Sequence, residues 1–134
     1  MVERLVIVAA LAAGLTVLIW LGRRLAQRRM ATLADQHIFA DLLPAGVPAV
    51  VAFTLPGCGD CRARQEPALR RLADRIGNRA AVLSLRADEH ATLADKLGLL
   101  TVPATVVIAA DGRLRALNQG YADDELLAGQ LNLG

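Results

Sequence analysis

The stretch that decides the fold is Val50-Val51-Ala52-Phe53-Thr54-Leu55-Pro56-Gly57-Cys58-Gly59-Asp60-Cys61-Arg62, which holds both cysteines of this 134-residue chain. Cys58 and Cys61 follow an apolar run typical of a buried strand and precede a helical pattern. A cysteine at a helix N-terminus faces unpaired backbone N–H groups and the positive end of the helix dipole, which favour a thiolate. The spacing therefore predicts a redox dithiol, in which Cys58 attacks a disulfide and Cys61 resolves the mixed disulfide.

Two other interpretations of the cysteine pair are a metal half-site and a pair of inert core residues. A structural zinc site needs four ligands. The sequence has no second cysteine pair, and His37 and His90 lack ligand spacing. We therefore expect no metal and no cofactor. Inert cysteines would leave the placement at a helix start as a coincidence.

An uncharged run from Leu5 to Gly22 lies at the N-terminus, between Arg4 and Arg23. At helical rise it covers roughly 27 Å, close to the hydrocarbon thickness of a bilayer. The run ends in Ile19-Trp20-Leu21-Gly22-Arg23-Arg24, which lacks the small residues of a cleavage site. Residues 1–22 are thus predicted to be a membrane anchor spanning about residues 5–22, with a signal peptide or a buried helix as alternatives.

The charges beside this run predict its orientation. Arginines concentrate on its C-terminal side, at positions 23, 24, 28 and 29. Positive residues favour the cytoplasmic side, so we expect a single-pass protein whose main domain is cytoplasmic, with an extracytoplasmic domain as the alternative. The net charge of +2 gives no reason to expect nucleic acid as a partner.

The rest of the chain divides into a basic helical connector, residues 23–45, and a domain covering residues 46–134. Within the domain, apolar runs and turn residues predict the order β-α-β-α-β-β-α. Strands alternating with helices before a closing hairpin indicate an α/β fold with a central mixed sheet flanked by helices. The predicted strands are 49–55, 80–85, 104–109 and 113–117, and the predicted helices are 59–76, 88–97 and 124–131. Asp88 can cap the second helix, which Gly98 ends, and Asp123 or its neighbour can cap the third.

Residues 49–131 resemble the thioredoxin domain. The resemblance rests on the strand leading into the dithiol, on Thr101-Val102-Pro103-Ala104, and on the Asp111-Gly112 hairpin followed by Gly120 and a terminal helix. It implies that Pro103 is cis and faces the dithiol, and that the backbone of Val102 pairs with bound substrate, next to Gly57 and Gly120. The alternative for Pro103 is a trans proline opening a strand. The activity implied is thiol–disulfide exchange with a protein disulfide or dithiol.

Several positions depart from the thioredoxin pattern. Gly57 replaces a tryptophan, Asp60 replaces a proline, and Ala52 and Ser84 stand where a buried aspartate and its lysine partner would lie. Pro67 falls one residue later than expected and should kink the first helix. The proton of the resolving cysteine Cys61 must then pass to water, to Asp60 or to a group that the sequence does not identify.

These departures leave a second function open, a partner-specific electron-transfer or assembly module with little general reductase activity. A thiol peroxidase is a third, weakly supported by Thr54 alone. Residues 37–43 are all that could supply the first strand and helix of a full thioredoxin. The oligomeric state is not predicted.

Overall fold

The computed structural model of the chain describes residues 1–35 and 39–133, with the side chains of residues 30–35 excepted. The chain divides into two compact units, Met1–Thr32 and Leu33–Gly134. His37 and part of the predicted connector lie outside the described residues. After them, the amides of Leu42 and Leu43 donate to the carbonyl of Phe39 at 3.0 and 3.1 Å, which closes a single turn.

The first unit lies within one helix, α1, which runs from Val2 to Asp35. Its segment Val2–Arg29 has a mean hydropathy of 2.5 and is long and apolar enough to cross a membrane. The large apolar side chains along this segment are exposed, as a lipid-facing helix requires. At its C-terminal end the Arg24 guanidinium lies 5.0 Å from the centre of the Trp20 ring. The predicted span 5–22 falls inside this candidate membrane helix.

The second unit contains a four-stranded sheet in the order β2-β1-β3-β4. The β1–β2 pair is parallel, and the β1–β3 and β3–β4 pairs are antiparallel. This mixed sheet with flanking helices confirms the predicted fold class. The strands are β1 (Ala49–Thr54), β2 (Ala81–Arg86), β3 (Ala104–Ile108) and β4 (Leu114–Gln119), and the helices are α2 (Glu66–Ile76), α3 (Ala91–Leu97) and α4 (Asp124–Leu131).

The core lies on both faces of β1, because successive side chains of a strand point to opposite faces. Val50 packs in one cluster with Leu72 of α2 and Leu127 of α4. On the opposite face, the Phe53 ring lies 6.4 Å from that of Phe39. All five residues are fully or almost fully buried. The continuous apolar run that predicted β1 thus reflects burial on both faces.

The predicted turns and caps mostly hold. Asp123 caps α4 by accepting a hydrogen bond from the Leu126 amide at 2.8 Å. Gly98 ends α3 in the left-handed conformation, with φ of 68°. The hairpin at Asp111-Gly112 joins β3 to β4, and the Asp111 carboxylate accepts from the Arg113 amide at 3.0 Å.

The prediction that Asp88 caps α3 is wrong. The helix begins at Ala91, and its N-cap His90 makes no side-chain cap bond. The Asp88 carboxylate instead accepts two hydrogen bonds from the Arg86 guanidinium, at 2.7 and 3.2 Å. Both carboxylate oxygens are thereby engaged with the guanidinium in a bidentate pair. It holds the pKa of Asp88 below its ordinary value.

Candidate active site

The two cysteines form a disulfide and differ in exposure. Cys58 is half-buried, whereas Cys61 is only 6% exposed. The backbone N–H of Cys61 donates to the Cys58 sulfur at 3.1 Å. When the pair is reduced, a donor at this position stabilises negative charge on Cys58. The accessible sulfur is therefore also the one that the backbone favours as a thiolate.

A tight turn connects β1 to the dithiol. The amide of Cys58 donates to the carbonyl of Leu55 at 3.2 Å, and Gly57 has φ of +81°. Proline followed by a residue with positive φ is the signature of a type II turn, which favours glycine at the second central position. The position where a tryptophan was expected is thus occupied by a residue that the backbone conformation requires to be small. Gly57 is exposed beside Cys58.

Pro103 and Gly120 lie at the same end of the sheet as the dithiol. The Val102–Pro103 peptide bond is cis. Phe53 pairs with Ala104, so the residue before β3 comes next to the end of β1. The Gly120 amide donates to the Pro103 carbonyl at 2.9 Å, which ties the end of β4 to this loop. Val102 and Gly120 are both half-exposed there.

The helix that carries Cys61 begins with a π-helical turn, Cys61–Gln65, and continues as α2. The Glu66 amide donates to the Cys61 carbonyl, a bond that spans one residue more than an α-helical bond. This wider turn accommodates the one extra residue that the sequence places before Pro67. The sequence predicts a kink at Pro67. The structure has an irregular turn, Cys61–Gln65, directly before the α-helix that contains Pro67.

Gln65 joins the dithiol helix to the loop before α4. Its side chain is 2% exposed, its Nε2 donates to the Ala122 carbonyl at 2.8 Å, and its Oε1 accepts from the Ala122 amide at 3.0 Å. Nearby, the Arg64 guanidinium stacks 4.3 Å from the centre of the Tyr121 ring. Together these contacts fix the segment after Gly120 against the dithiol helix. Sequence reasoning missed them, although a glutamine four residues before Leu69 on the apolar helix face was a usable signal.

A cavity of about 380 Å³ lies beside Cys61. Ala52 and Ser84 are register partners on β1 and β2, and both line it. The two strands thus contribute no carboxylate and no ammonium group here, as the sequence indicated. No group of three or more His, Cys, Asp or Glu side chains suited to a metal occurs within the described residues.

A half-exposed and a buried cysteine at a helix start, at the end of a mixed sheet where the Val102–Pro103 loop also lies, define a thiol–disulfide oxidoreductase of thioredoxin fold. Residues 29–132 match the family model Thioredoxin, and the chain belongs to the thioredoxin family.

Characterised relatives and solved structures agree with this assignment. The thioredoxin of Rhodospirillum rubrum is 33% identical over 91 residues, which is 68% of this chain and 86% of that protein. The thioredoxin of Bacillus subtilis is 28% identical over 80 residues, covering 60% of this chain and 75% of that protein. The structure of chloroplastic thioredoxin z, 22% identical, has a TM-score of 0.56 over 66% of this chain and 81% of that chain. The exposed lipoprotein thioredoxin of Streptococcus pneumoniae, 18% identical, has a TM-score of 0.56 over 64% of this chain and 84% of that chain. These two structures support the fold.

Proposed function

We propose that the chain is a membrane-anchored thioredoxin that exchanges disulfides in a protein partner, with Cys58 as nucleophile and Cys61 as resolving residue. The difference between the sulfurs carries this proposal: Cys58 is the more exposed and receives the Cys61 N–H, whereas Cys61 is buried. An attacking thiolate must reach the partner, and a resolving thiol needs to reach only Cys58.

In the reducing direction, the Cys58 thiolate attacks one sulfur of the partner disulfide and displaces the other as a thiolate. The resulting mixed disulfide is then attacked by Cys61. The Cys58–Cys61 bond forms, the bond to the partner breaks, and two electrons have passed from the dithiol to the partner. The same steps in reverse oxidise a partner dithiol, and the direction depends on the relative reduction potentials.

The partner's chain would lie across the surface formed by Gly57, Val102 and Gly120. Two glycines leave room for a backbone to approach closely. Pro103, which follows Val102, is buried and offers no competing N–H donor. This surface lies at the sheet end where β1 leads into the dithiol.

The anchor would place this chemistry at a membrane, with residues 1–22 as the anchor, residues 23–45 as the connector and residues 46–134 as the head. Arginines cluster after the apolar run, at positions 23, 24, 28 and 29, against Arg4 before it. The positive-inside tendency then favours a cytoplasmic head. Labelling an introduced cysteine, Asp74→Cys in a variant lacking Cys58 and Cys61, from each side of the membrane tests this. Modification only from outside would reverse the assignment.

Reduction of insulin by the reduced full-length protein in detergent micelles tests the activity. We expect turnover by the native chain and none by Cys58→Ser. A native dithiol that never reduces the substrate, or full turnover by Cys58→Ser, would contradict the proposed roles.

The second candidate is a thioredoxin-fold module that serves one partner. Gly57 and Ala52 favour it, because they replace a large substrate-contacting side chain and a buried acid that the thioredoxin pattern leads one to expect. Cys61→Ser should trap the partner as a mixed disulfide on Cys58. One dominant trapped species in membranes supports a dedicated partner, and many species support a general reductase.

A further inference from the structure

The cavity beside Cys61 raises the question of which group takes the proton of the resolving thiol. A thiol attacks as its thiolate, and a buried thiol ionises with difficulty. Cys61 is buried, and its strand neighbours Ala52 and Ser84 carry no group that accepts a proton near neutral pH. A side-chain acceptor that faces this cavity must therefore come from another part of its wall.

Among the described residues that line this cavity, Glu66 is the one carboxylate. The other charged residues there are Arg62 and Arg86, which stay protonated. The Gln65 amide is not a base, and both of its polar atoms are already bonded to Ala122. We infer that Glu66 accepts the Cys61 proton across this cavity, a role that rests on the proposed function of Cys61 as the resolving residue.

The π-helical turn explains how Glu66 reaches this wall. The Glu66 amide bonds to the Cys61 carbonyl, so Glu66 begins the next turn of the helix after Cys61. In an α-helix the fourth residue, Gln65, would make that bond, and the fifth would be rotated away from Cys61. The extra residue thus brings a carboxylate to the cavity while Gln65 stays engaged with Ala122.

The surrounding charges suit proton transfer at this place. Arg62 and Arg86 face the same cavity and favour a thiolate there. Arg86 is itself held by Asp88 at 2.7 Å and by Glu89 at 3.3 Å, so its charge is partly neutralised. Glu66 is exposed, so it can exchange its proton with bulk water. When Cys61 attacks the mixed disulfide, its proton passes to Glu66, and the departing partner thiolate is protonated by Glu66 or by water.

A coloured aromatic disulfide of the nitrobenzoate type separates the two chemical steps. Mixed with the reduced full-length protein in micelles, it releases one coloured thiolate when Cys58 attacks and a second when Cys61 resolves. We expect Glu66→Gln to slow only the second release, by about tenfold to hundredfold near pH 7. This factor is at or below the low end for a positioned general base, because the side chain is exposed. Glu66→Asp should retain part of the rate. Glu125→Gln, an exposed glutamate in α4, is the matched control and should leave both phases unchanged.

The pH profile and chemical rescue distinguish a proton acceptor from a structural residue. The native and Glu66→Gln rates should converge only well above pH ~8.5, the ordinary thiol value, because the buried Cys61 loses its proton to hydroxide only there. Added acetate or imidazole should accelerate the second phase of the variant and not that of the native protein. An unchanged second phase, an equal slowing at every pH, or an equal effect of Glu125→Gln would overturn the inference. Loss of the first phase in the native protein, or its persistence in Cys58→Ser, would instead contradict the proposed function.

Discussion

Replacing Gln65 by leucine tests how strongly the dithiol helix is tied to the loop that follows Gly120. The substitution keeps the approximate volume and removes both hydrogen bonds, at 2.8 and 3.0 Å, to the backbone of Ala122. Ala122 is 1% exposed, so water cannot replace the lost partners. An orphaned buried polar group costs about 1–3 kcal/mol, and there are two, while the leucine regains part of this through apolar burial. We expect a net loss of about 2–4 kcal/mol in the free energy of unfolding.

The matched control is Gln130→Leu. Gln130 also makes two side-chain hydrogen bonds, to Asn118 at 2.8 and 2.9 Å, but both residues are half-exposed. Water can then satisfy Asn118, so this substitution should cost less than about 1 kcal/mol. Urea unfolding of the full-length protein in micelles, followed by far-ultraviolet circular dichroism, should show the midpoint of Gln65→Leu lowered by about 1–2 M and that of the control almost unmoved. Equal midpoints for the two variants would refute burial as the deciding factor.

Three further predictions concern the turn, the surface beside the site and an ion pair. Gly57→Ala should destabilise by about 1–2 kcal/mol in the same unfolding experiment because φ is +81°, whereas Gly59→Ala in the same segment should be neutral. Leu100, 89% exposed beside the Val102–Pro103 bond, should contact protein substrates, so Leu100→Ser should raise KM for insulin several-fold and leave the reaction with a small disulfide unchanged. The hydrogen bond from Arg71 lowers the pKa of Asp124, so the folded state binds this proton less readily than the unfolded chain. The ionised Asp124 therefore stabilises the fold above pH 3.8, the ordinary aspartate value, and this stabilisation is lost as the pH falls through the lower pKa of the folded state. In an acid titration, Asp124→Asn should lose less stability over that range than the native protein.

The fold followed from the sequence where a local pattern and the tertiary structure agree. Val50 and Phe53 belong to an apolar run that only a strand buried on both faces explains. Asp123 and Gly98 mark helix ends because their side-chain or backbone chemistry acts within a few residues. The cap predicted at Asp88 was wrong because Arg86, at the end of the preceding strand, pairs with both oxygens of its carboxylate.

The sequence predicts those residues of the candidate site that can be identified by their spacing or by the resemblance to thioredoxin. The dithiol and the Val102-Pro103 pair were found in this way. Gln65 on the apolar helix face was a signal of a buried polar contact. Its partner could not be predicted, because Ala122, 57 residues away, contributes only backbone atoms. The late position of Pro67 did signal an extra residue, but sequence alone did not show that a π-helical turn would accommodate it.

That extra residue connects the two unusual features of the site. In an α-helical start, position 65 would follow Cys61 on the same helix face and position 66 would be rotated away. With the π-helical turn, Gln65 bonds to Ala122 in the loop after Gly120, and Glu66 lines the cavity beside Cys61. β1 supplies no carboxylate at Ala52, but Glu66 supplies one to the wall of the cavity beside Cys61, from a helix instead of a strand. A side chain at the exposed start of a helix exchanges protons with water more readily than one beneath a sheet, so Glu66 should lose the accepted proton to water without an added buffer.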